Sequence, residues 1–424
     1  MKILLVNRYL YRRGGDTTYT ISLARLLQDR GHQVLCFGLD SPENDPALNA
    51  PILLKPIDFP ELFDRGSIAA GIKVLRRTIY SREAATSMGE LLDAQRPDIV
   101  HLQNIHHHLS PSVIVAASTR AIPVVWTLHD FSVICPNGNL FTRGRVCDEC
   151  RPVRFHRMVV NRCKRGSLPA SAVAALESAV HRAMRLFDSV DLFLTPSRFL
   201  ADKLREFNFY PRKVVHLDNF LVTPSVNVNE ALPTSSTDES RRDFGYVLYA
   251  GRLTEDKGIH TLLASVPKWR DVSLKIAGDG PMRQAVIEAC ERQPRIQYLG
   301  QVREETVHQL LLGSIAAVVP SVCYENQPYA VLEAFAAGRP VVGTGHGSLP
   351  DLISNGQHGL TFEAGDPDDL ARAVIHLAGD PKAAIAMGAA GRLLVETRFS
   401  PQAHYERLMA LYDRARSRGV TDAA

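Results

Sequence analysis

A chain of 424 residues is too long for one ordinary hydrophobic core and suits two domains. Hydrophobic residues make up 45% and charged residues 22%, as in a soluble globular protein, and a formal net charge of +4 gives no general case for a nucleic-acid partner. No apolar run reaches the roughly 18 residues of a membrane span. The opening Met1-Lys2-Ile3-Leu4-Leu5-Val6-Asn7 runs straight into polar Arg8, so it is a first strand rather than a signal peptide and predicts a cytoplasmic protein. Seven cysteines, an odd number, argue against a disulfide framework and leave metal binding or buried thiols.

The strand Lys2–Asn7 leads through Gly14-Gly15 into a helix from about Asp16 to Arg30, and Gln33–Gly38 follows as a second strand, making a βαβ unit. Gly14-Gly15 lacks the G-x-G-x-x-G spacing, so a nicotinamide cofactor is unsupported; by itself the pair is a flexible turn or a ligand loop. Prolines and asparagines mark Ser41 to Pro60 as loop, and Ser67 to Gln95 is expected to be largely helical, with Lys73, Arg76 and Arg77 on a basic face. Asp98–Leu102 is a strand. The run His106-His107-His108 lies just past its C-terminal end, where open α/β sheets bind ligands, but three adjacent histidines cannot all face one ligand. Ser110-Pro111 predicts a capped helix start. The apolar strand Pro123–Leu128 ends in His129-Asp130, which suits either substrate binding or a hydrogen-bonded core histidine.

Residues 131–166 have their own character. Cys135, Cys147, Cys150 and Cys163 place four thiols in a loop-rich stretch, and Cys147-Asp148-Glu149-Cys150 has the C-x-x-C spacing of two zinc ligands. Structural zinc and free thiols are the two readings. Arg151, Arg154, Arg157, Arg162, Lys164 and Arg165 are interleaved with Val153, Phe155, Met158, Val159 and Val160. Such a run is a solvated charged face or a contact for anionic lipid headgroups or a lipid-linked diphosphate. A helix Ser171–Phe187, the strand Leu192–Thr195, a helix capped by Ser197 and the strand Lys213–Leu217 complete a first domain over residues 1–221; residues 222–244, rich in Pro, Asn, Ser and Thr, form a linker.

The second domain, 245–399, alternates again. Tyr246–Ala250 runs into Gly251-Arg252, with Glu255-Asp256-Lys257-Gly258 before a helix; Val272–Ala277 ends in Gly278-Asp279-Gly280-Pro281; Ile296–Leu299, Ala316–Pro320 and Pro340–Gly343 are further strands. Between the last two lies Glu325-Asn326-Gln327-Pro328-Tyr329-Ala330-Val331-Leu332-Glu333, a loop feeding a helix that Gly338 closes. Asn326 is a candidate cap and Pro328 fits the first turn. A helix N-terminus gathers unpaired amides and partial positive charge, so this loop suits a phosphate or a polar sugar.

The spacing of Glu325 and Glu333, with Gly338-Arg339-Pro340 after them, closely resembles the donor-site motif of family 4 retaining glycosyltransferases. The resemblance extends over nearly the whole chain and is strongest from Gly251 to Gly365. It implies an α/β GT-B fold, two Rossmann-like domains with parallel sheets facing a cleft, and residues 400–424 as a helix crossing back to the first domain. It implies that Glu325 contacts hydroxyls of the transferred sugar, Glu333 the nucleotide ribose, and Arg252 with Lys257 the donor diphosphate. By the same likeness Asn326, Gln327 and Pro328, Gly14 and Gly15, and Gly278 and Gly280 line the donor site, and His129 lies beside the reacting sugar. Gly347-Ser348 and Asp351 stand where the family commonly has two glycines and a glutamate, so backbone contacts from Gly347 to phosphate are expected while the acid differs.

The expected activity is transfer of a sugar, with retention, from a nucleotide sugar to a saccharide or lipid-linked saccharide acceptor, in surface polysaccharide synthesis. The donor diphosphate supplies the base, no metal is required for catalysis, and peripheral contact with the inner membrane face is expected. A nucleotide-sugar epimerase or phosphorylase on the same fold, or a non-catalytic saccharide-binding subunit, are the alternatives; the charges of Glu325, Glu333, Arg252 and Lys257 count against the last.

Overall fold

The computed structural model of the chain describes residues 1–56, 77–222 and 245–421. The chain divides into two compact units, one of Met1–Thr142, Cys147–Asn219 and Pro401–Ala424, the other of Arg143–Val146 and Phe220–Ser400. The linker expected at 222–244 lies, from residue 223 on, outside the described residues, as do Lys73 and Arg76; Arg77 pairs with Glu83 at 2.9 Å.

In the first unit, β1 (Lys2–Val6), β2 (Gln33–Leu39), β3 (Ile52–Leu54), β4 (Ile99–Leu102), β5 (Val124–Thr127), β6 (Leu192–Thr195) and β7 (Val214–His216) form a seven-stranded sheet in the order β3-β2-β1-β4-β5-β6-β7. Each neighbouring pair is parallel. Parallel strands are covered on both faces and so read as unbroken apolar runs, which is why Ile3-Leu4-Leu5-Val6 is wholly buried. The order runs outward from β1 to β3, then returns to the other side of β1 with β4. The sheet therefore has its switch point between β1 and β4, where loops leave in opposite directions and open a crevice.

The C-terminal helix Pro401–Thr421 belongs to this unit and is fastened by buried polar contacts. His101 on β4 has its Nδ1 2.6 Å from the Tyr412 hydroxyl and its Nε2 2.7 Å from Thr127 Oγ1. His404 lies between the Tyr19 hydroxyl at 3.1 Å and the Asp218 carbonyl at 2.7 Å. Burial pushes His101 down to about 3 and His404 to about 4, so both rings are neutral at physiological pH.

The second unit repeats the plan with β8 (Tyr246–Ala250), β9 (Ser273–Ala277), β10 (Ile296–Gly300), β11 (Ala316–Val319), β12 (Val341–Thr344) and β13 (Gly359–Phe362), ordered β10-β9-β8-β11-β12-β13 and parallel throughout. Alternation divides each strand between two faces. Val247, Leu274, Ile276 and Val318 pack into one apolar cluster and Leu248, Ala317, Val319 and Val341 into another. Its switch point lies between β8 and β11.

The structure corrects four local expectations. Ile52–Leu54, inside the segment expected as loop, is the edge strand β3; three apolar residues between Pro51 and Pro56 suffice where, among the described residues, one side of the ladder is unpaired. The strand Gly359–Phe362, not singled out from sequence, closes the second sheet. Ser110 does not cap the following helix, which runs Ser112–Ser118 with Pro111 at the cap position; the Ser110 hydroxyl instead accepts from the Ser81 amide at 2.9 Å. The helix expected at Ser171–Phe187 runs Leu168–Ala183, capped by Ser167.

Replacing Tyr412 with Phe removes the only group within hydrogen-bond distance of His101 Nδ1 among the described residues. An unsatisfied buried polar atom costs about 1–3 kcal/mol. Urea unfolding of Tyr412→Phe should show that loss, and hydrogen exchange should locate it in residues 401–421 and β4; an unchanged midpoint would show that the helix docks by apolar contact alone.

Candidate active site

The loops that leave β8 and β11 converge across the switch point of the second sheet. After β8 come Gly251, Arg252 and a short 3-10 turn, Glu255–Lys257; after β11 come Ser321 to Glu325. The backbone ties them together, because the Asp256 carbonyl accepts from the amides of Val322 at 3.0 Å and Cys323 at 3.2 Å. Gly258 turns the first loop with φ of 71°, and a Cβ there would lie 1.8 Å from the Pro320 carbonyl oxygen, so no side chain fits.

This close approach places Lys257 Nζ 2.5 Å from Glu325 Oε1, which also accepts from the Ser321 hydroxyl at 2.5 Å. The Glu325 side chain is 11% exposed and that of Lys257 22%. Burial alone would raise the Glu325 pKa, but the Lys257 charge and the hydrogen bonds from Lys257 and Ser321 outweigh it and hold the carboxyl below its ordinary range. Burial alone would lower Lys257, but Glu325, Cys323 and Asp256 hold its ammonium above the ordinary lysine range. Both groups are therefore charged at neutral pH. Cys323, buried beside them, is pushed up to about 12 by burial and then by Glu325, so it is an inert thiol. Arg252 is exposed, and its carbonyl accepts from the Tyr249 hydroxyl at 2.7 Å.

Neighbouring strands frame this pair. The loop after β9 carries Gly278, where φ is 143° and a Cβ would lie 1.9 Å from the Gly251 carbonyl oxygen; it thus packs backbone against backbone with the Arg252 loop. Gly280 follows in the same loop, with its amide held by Asp279 at 2.8 Å. The loop after β12 brings Gly347 and Ser348, whose amide donates to the Glu325 carbonyl at 3.2 Å. Asn326, Gln327 and Pro328 lead into the helix Tyr329–Ala336. Here the expectation of Pro328 in the first turn fails: Pro328 is itself the cap residue, extended at ψ of 127°, and makes no side-chain cap hydrogen bond. Glu333 is half-buried one turn in. Sequence reasoning singles out neither Ser321 nor Tyr249, since no spacing marks them; they matter only because the fold brings them to Glu325 and Arg252.

In the first unit the loops at the C-terminal ends of β1, β4 and β5 also meet. Gly14 caps the helix Gly15–Asp29, and Asp16 in its first turn accepts from Asn104 at 3.2 Å. His129 has its Nε2 2.8 Å from Gln103 Oε1 and its ring against Tyr19. Burial lowers its pKa against the opposing pull of Asp16 and Asp130, so the ring is neutral at pH 7. The three consecutive histidines diverge. His106 lies against Trp126, His107 reaches the buried Glu177 carboxylate at 3.3 Å, and His108 lies near Tyr9. All four cysteines of the 131–166 segment are free thiols. Of the arginines there, Arg157 is committed to Glu149 at 2.6 Å, while Arg151, Arg154, Arg162 and Arg165 are exposed.

Two parallel doubly wound sheets, each with a built-up switch point, define the GT-B class of fold. Residues 13–223 match the family described as Glycosyltransferase Family 4 and residues 245–380 that described as Glycosyl transferases group 1; the chain belongs to the family 4 glycosyltransferases. Among its curated relatives, glycogen synthase of Mycobacterium tuberculosis is 33% identical over 163 residues, 37% of this chain and 39% of that protein. The lipopolysaccharide core biosynthesis glycosyltransferase LpsE of Rhizobium meliloti is 25% identical over 220 residues, 51% of this chain and 62% of that protein. The chain thus spans less than two thirds of the length of either relative. Anabaena HepE in complex with UDP and glucose shares the fold at a TM-score of 0.65, with 16% identity over 98% of this chain and 100% of that one.

The Lys257–Glu325 pair predicts a stability profile. A carboxyl with a depressed folded pKa adds stability above its unfolded pKa that is lost as pH falls through the folded value; an ammonium with a raised one adds stability that is lost as pH rises through its folded value. The contribution is therefore flat between the ordinary carboxylate and lysine ranges and falls away outside them. Breaking one side of a buried pair costs about 3–5 kcal/mol. Glu325→Gln should lower stability by that order at pH 7 and flatten the acid limb of melting temperature against pH, whereas a curve parallel to wild type would mean that the pair is not formed.

Proposed function

We propose that this protein transfers a sugar from a nucleoside-diphosphate donor to a saccharide or lipid-linked saccharide acceptor, with retention of anomeric configuration. The observation that carries the proposal is the buried Lys257–Glu325 pair at the switch point of the second sheet, with Arg252 on the adjoining loop. An ammonium has three donors. One serves Glu325, and the others serve the diphosphate oxygens. As the glycosidic bond breaks, negative charge grows on those oxygens, and Lys257 with Arg252 stabilises it where it develops. Glu325, kept ionised, accepts from sugar hydroxyls, Glu333 accepts from the ribose, and backbone amides around Gly347 and the start of the Tyr329–Ala336 helix serve phosphate. His129 is assigned to the transferred sugar. The donor diphosphate acts as the base, so no enzymic nucleophile is required. The names of the relatives, which concern glycogen and lipopolysaccharide, support a saccharide acceptor, and the complex of HepE with UDP supports UDP as the first nucleotide to try.

Thermal unfolding with UDP-, GDP- and ADP-sugars identifies the donor, because a ligand that binds only the folded state raises its stability. With that donor, Arg252→Ala and Lys257→Ala should each lower turnover about a hundredfold or more, while Glu333→Gln should mainly raise the donor KM. Near wild-type rates in folded Arg252 and Lys257 variants would sink the assignment. Turnover should also survive brief EDTA treatment; prompt loss restored by Mg²⁺ would overturn the metal-independent mechanism.

We further propose peripheral contact of the first unit with anionic membrane. No helix among the described residues is long and apolar enough to cross a membrane. Yet Val153, Val160, Leu168, Leu176 and Met184 are exposed in the same part of the chain as the free arginines Arg151, Arg154, Arg162 and Arg165. Apolar side chains that enter the headgroup layer beside basic ones that pair with it are the pattern of an interfacial surface. Binding to phosphatidylglycerol vesicles should weaken as salt rises, since screening shortens the reach of surface charge, and should fall in Val160→Asp. Equal binding to phosphatidylcholine vesicles would count against it.

A further inference from the structure

The cysteines of residues 131–166 take no part in the chemistry proposed above, yet the fold gathers them. Cys135 ends a turn closed by hydrogen bonds from its own amide to the Phe131 carbonyl and from the Gly138 amide to its carbonyl, both at 2.7 Å. Cys147 precedes, and Cys150 lies within, the turn in which the Arg151 amide donates to the Asp148 carbonyl at 3.0 Å. Cys163 follows the helix His156–Asn161, its amide on the Met158 carbonyl at 3.2 Å. All four line one pocket of about 10 Å³, otherwise walled mainly by apolar groups such as Leu140 and Met158.

We propose that Cys135, Cys147, Cys150 and Cys163 together bind one zinc ion, which holds this segment in its folded path. Four thiols from three separate turns that line one small apolar pocket are soft ligands in the number a tetrahedral zinc site takes, a chemistry that selects zinc over the hard cations. Binding breaks four S–H bonds, releases the protons to solvent and forms four Zn–S bonds, leaving a net charge of −2. Backbone amides of Asn137, Gly138 and Leu140 lie against the Cys135 sulfur and that of Glu149 against Cys147, and the Lys164 ammonium is close enough to Cys135 to interact with it. Such second-layer donors stabilise thiolate ligands. As the side chains stand, no three His, Cys, Asp or Glu residues among those described are arranged to hold an ion. Loading therefore requires the sulfurs to turn into the pocket they line, by changes of χ1 between staggered settings.

The segment also needs such a staple. Its longest regular element among the described residues is the six-residue helix His156–Asn161, and Leu140, Arg143, Arg162 and Arg165 are held at positive φ, which side chains rarely adopt. Structural zinc contributes folding energy directly to segments of this kind.

Protein purified reduced and without chelator should carry one zinc per chain by elemental analysis. An organomercurial that titrates the thiols should release it to a metal-sensitive dye, a measurement on wild-type protein that needs no variant. The double variant Cys147→Ser, Cys150→Ser should hold none, and Co²⁺ exchanged into wild type should give intense sulfur-to-metal absorption. Zinc-free protein that takes up no Co²⁺ overturns the proposal, as does iron in place of zinc, or zinc retained in the double variant. Stabilisation by the nucleotide sugar, read separately, reports on the donor site and not on this one.

Discussion

Everything at the second unit's switch point depends on one buried ion pair. Lys257 and Glu325 come from loops 68 positions apart, and neither charge would be tolerated there alone. The loop after β8 can reach the loop after β11 only because Gly258 carries no side chain against Pro320, and because the Asp256 carbonyl takes both amides of Val322 and Cys323. The pair thus fixes the two loops, and the two loops fix the pair. Under the proposed function, a cation held in this way is oriented before the donor arrives, so little reorganisation would oppose its interaction with developing negative charge.

The first unit uses the same sheet plan with different chemistry at its strand ends. Its polar groups are mostly neutral: His101, His129 and His404 are stripped of charge by burial and serve as hydrogen-bonding spacers. Among its acidic groups, Glu177 is buried: burial would raise its pKa, but the hydrogen bond from His107 and the surrounding imidazoles hold it below its ordinary range. One unit is therefore organised around a buried charge pair and the other around neutral imidazoles, although their strand orders are alike.

Much of this was legible in the sequence, and the exceptions share a cause. Parallel strands buried on both faces appear as apolar runs, and most were placed within a residue or two of their observed ends. The short edge strand Ile52–Leu54 was lost because prolines around it signal loop more strongly than three residues can signal strand. Ser110 is expected as a cap and Pro328 in a first turn, but Ser110 accepts from the Ser81 amide and Pro328 takes the cap position itself. Arg252, Lys257 and the two glutamates stand out because the short motifs that carry them resemble those of the family. Ser321, Tyr249 and the contact of His107 with Glu177 do not, since they arise from pairings across the fold that no short window contains. The likeness to a known family supplied roles for the glutamates that spacing alone does not give.

The return of the C-terminal helix has a consequence for the order of synthesis. The partners of His101 and Tyr19 on that helix, Tyr412 and His404, are encoded more than 300 positions later, beyond the whole second unit. While the chain is being made, the first sheet emerges early but keeps these buried positions open to water until the last helix leaves the ribosome. The second unit, from Phe220 to Ser400, is by contrast continuous but for Arg143–Val146 and can close as it is extruded. Within this chain, the unit whose synthesis begins earlier is therefore the one completed later.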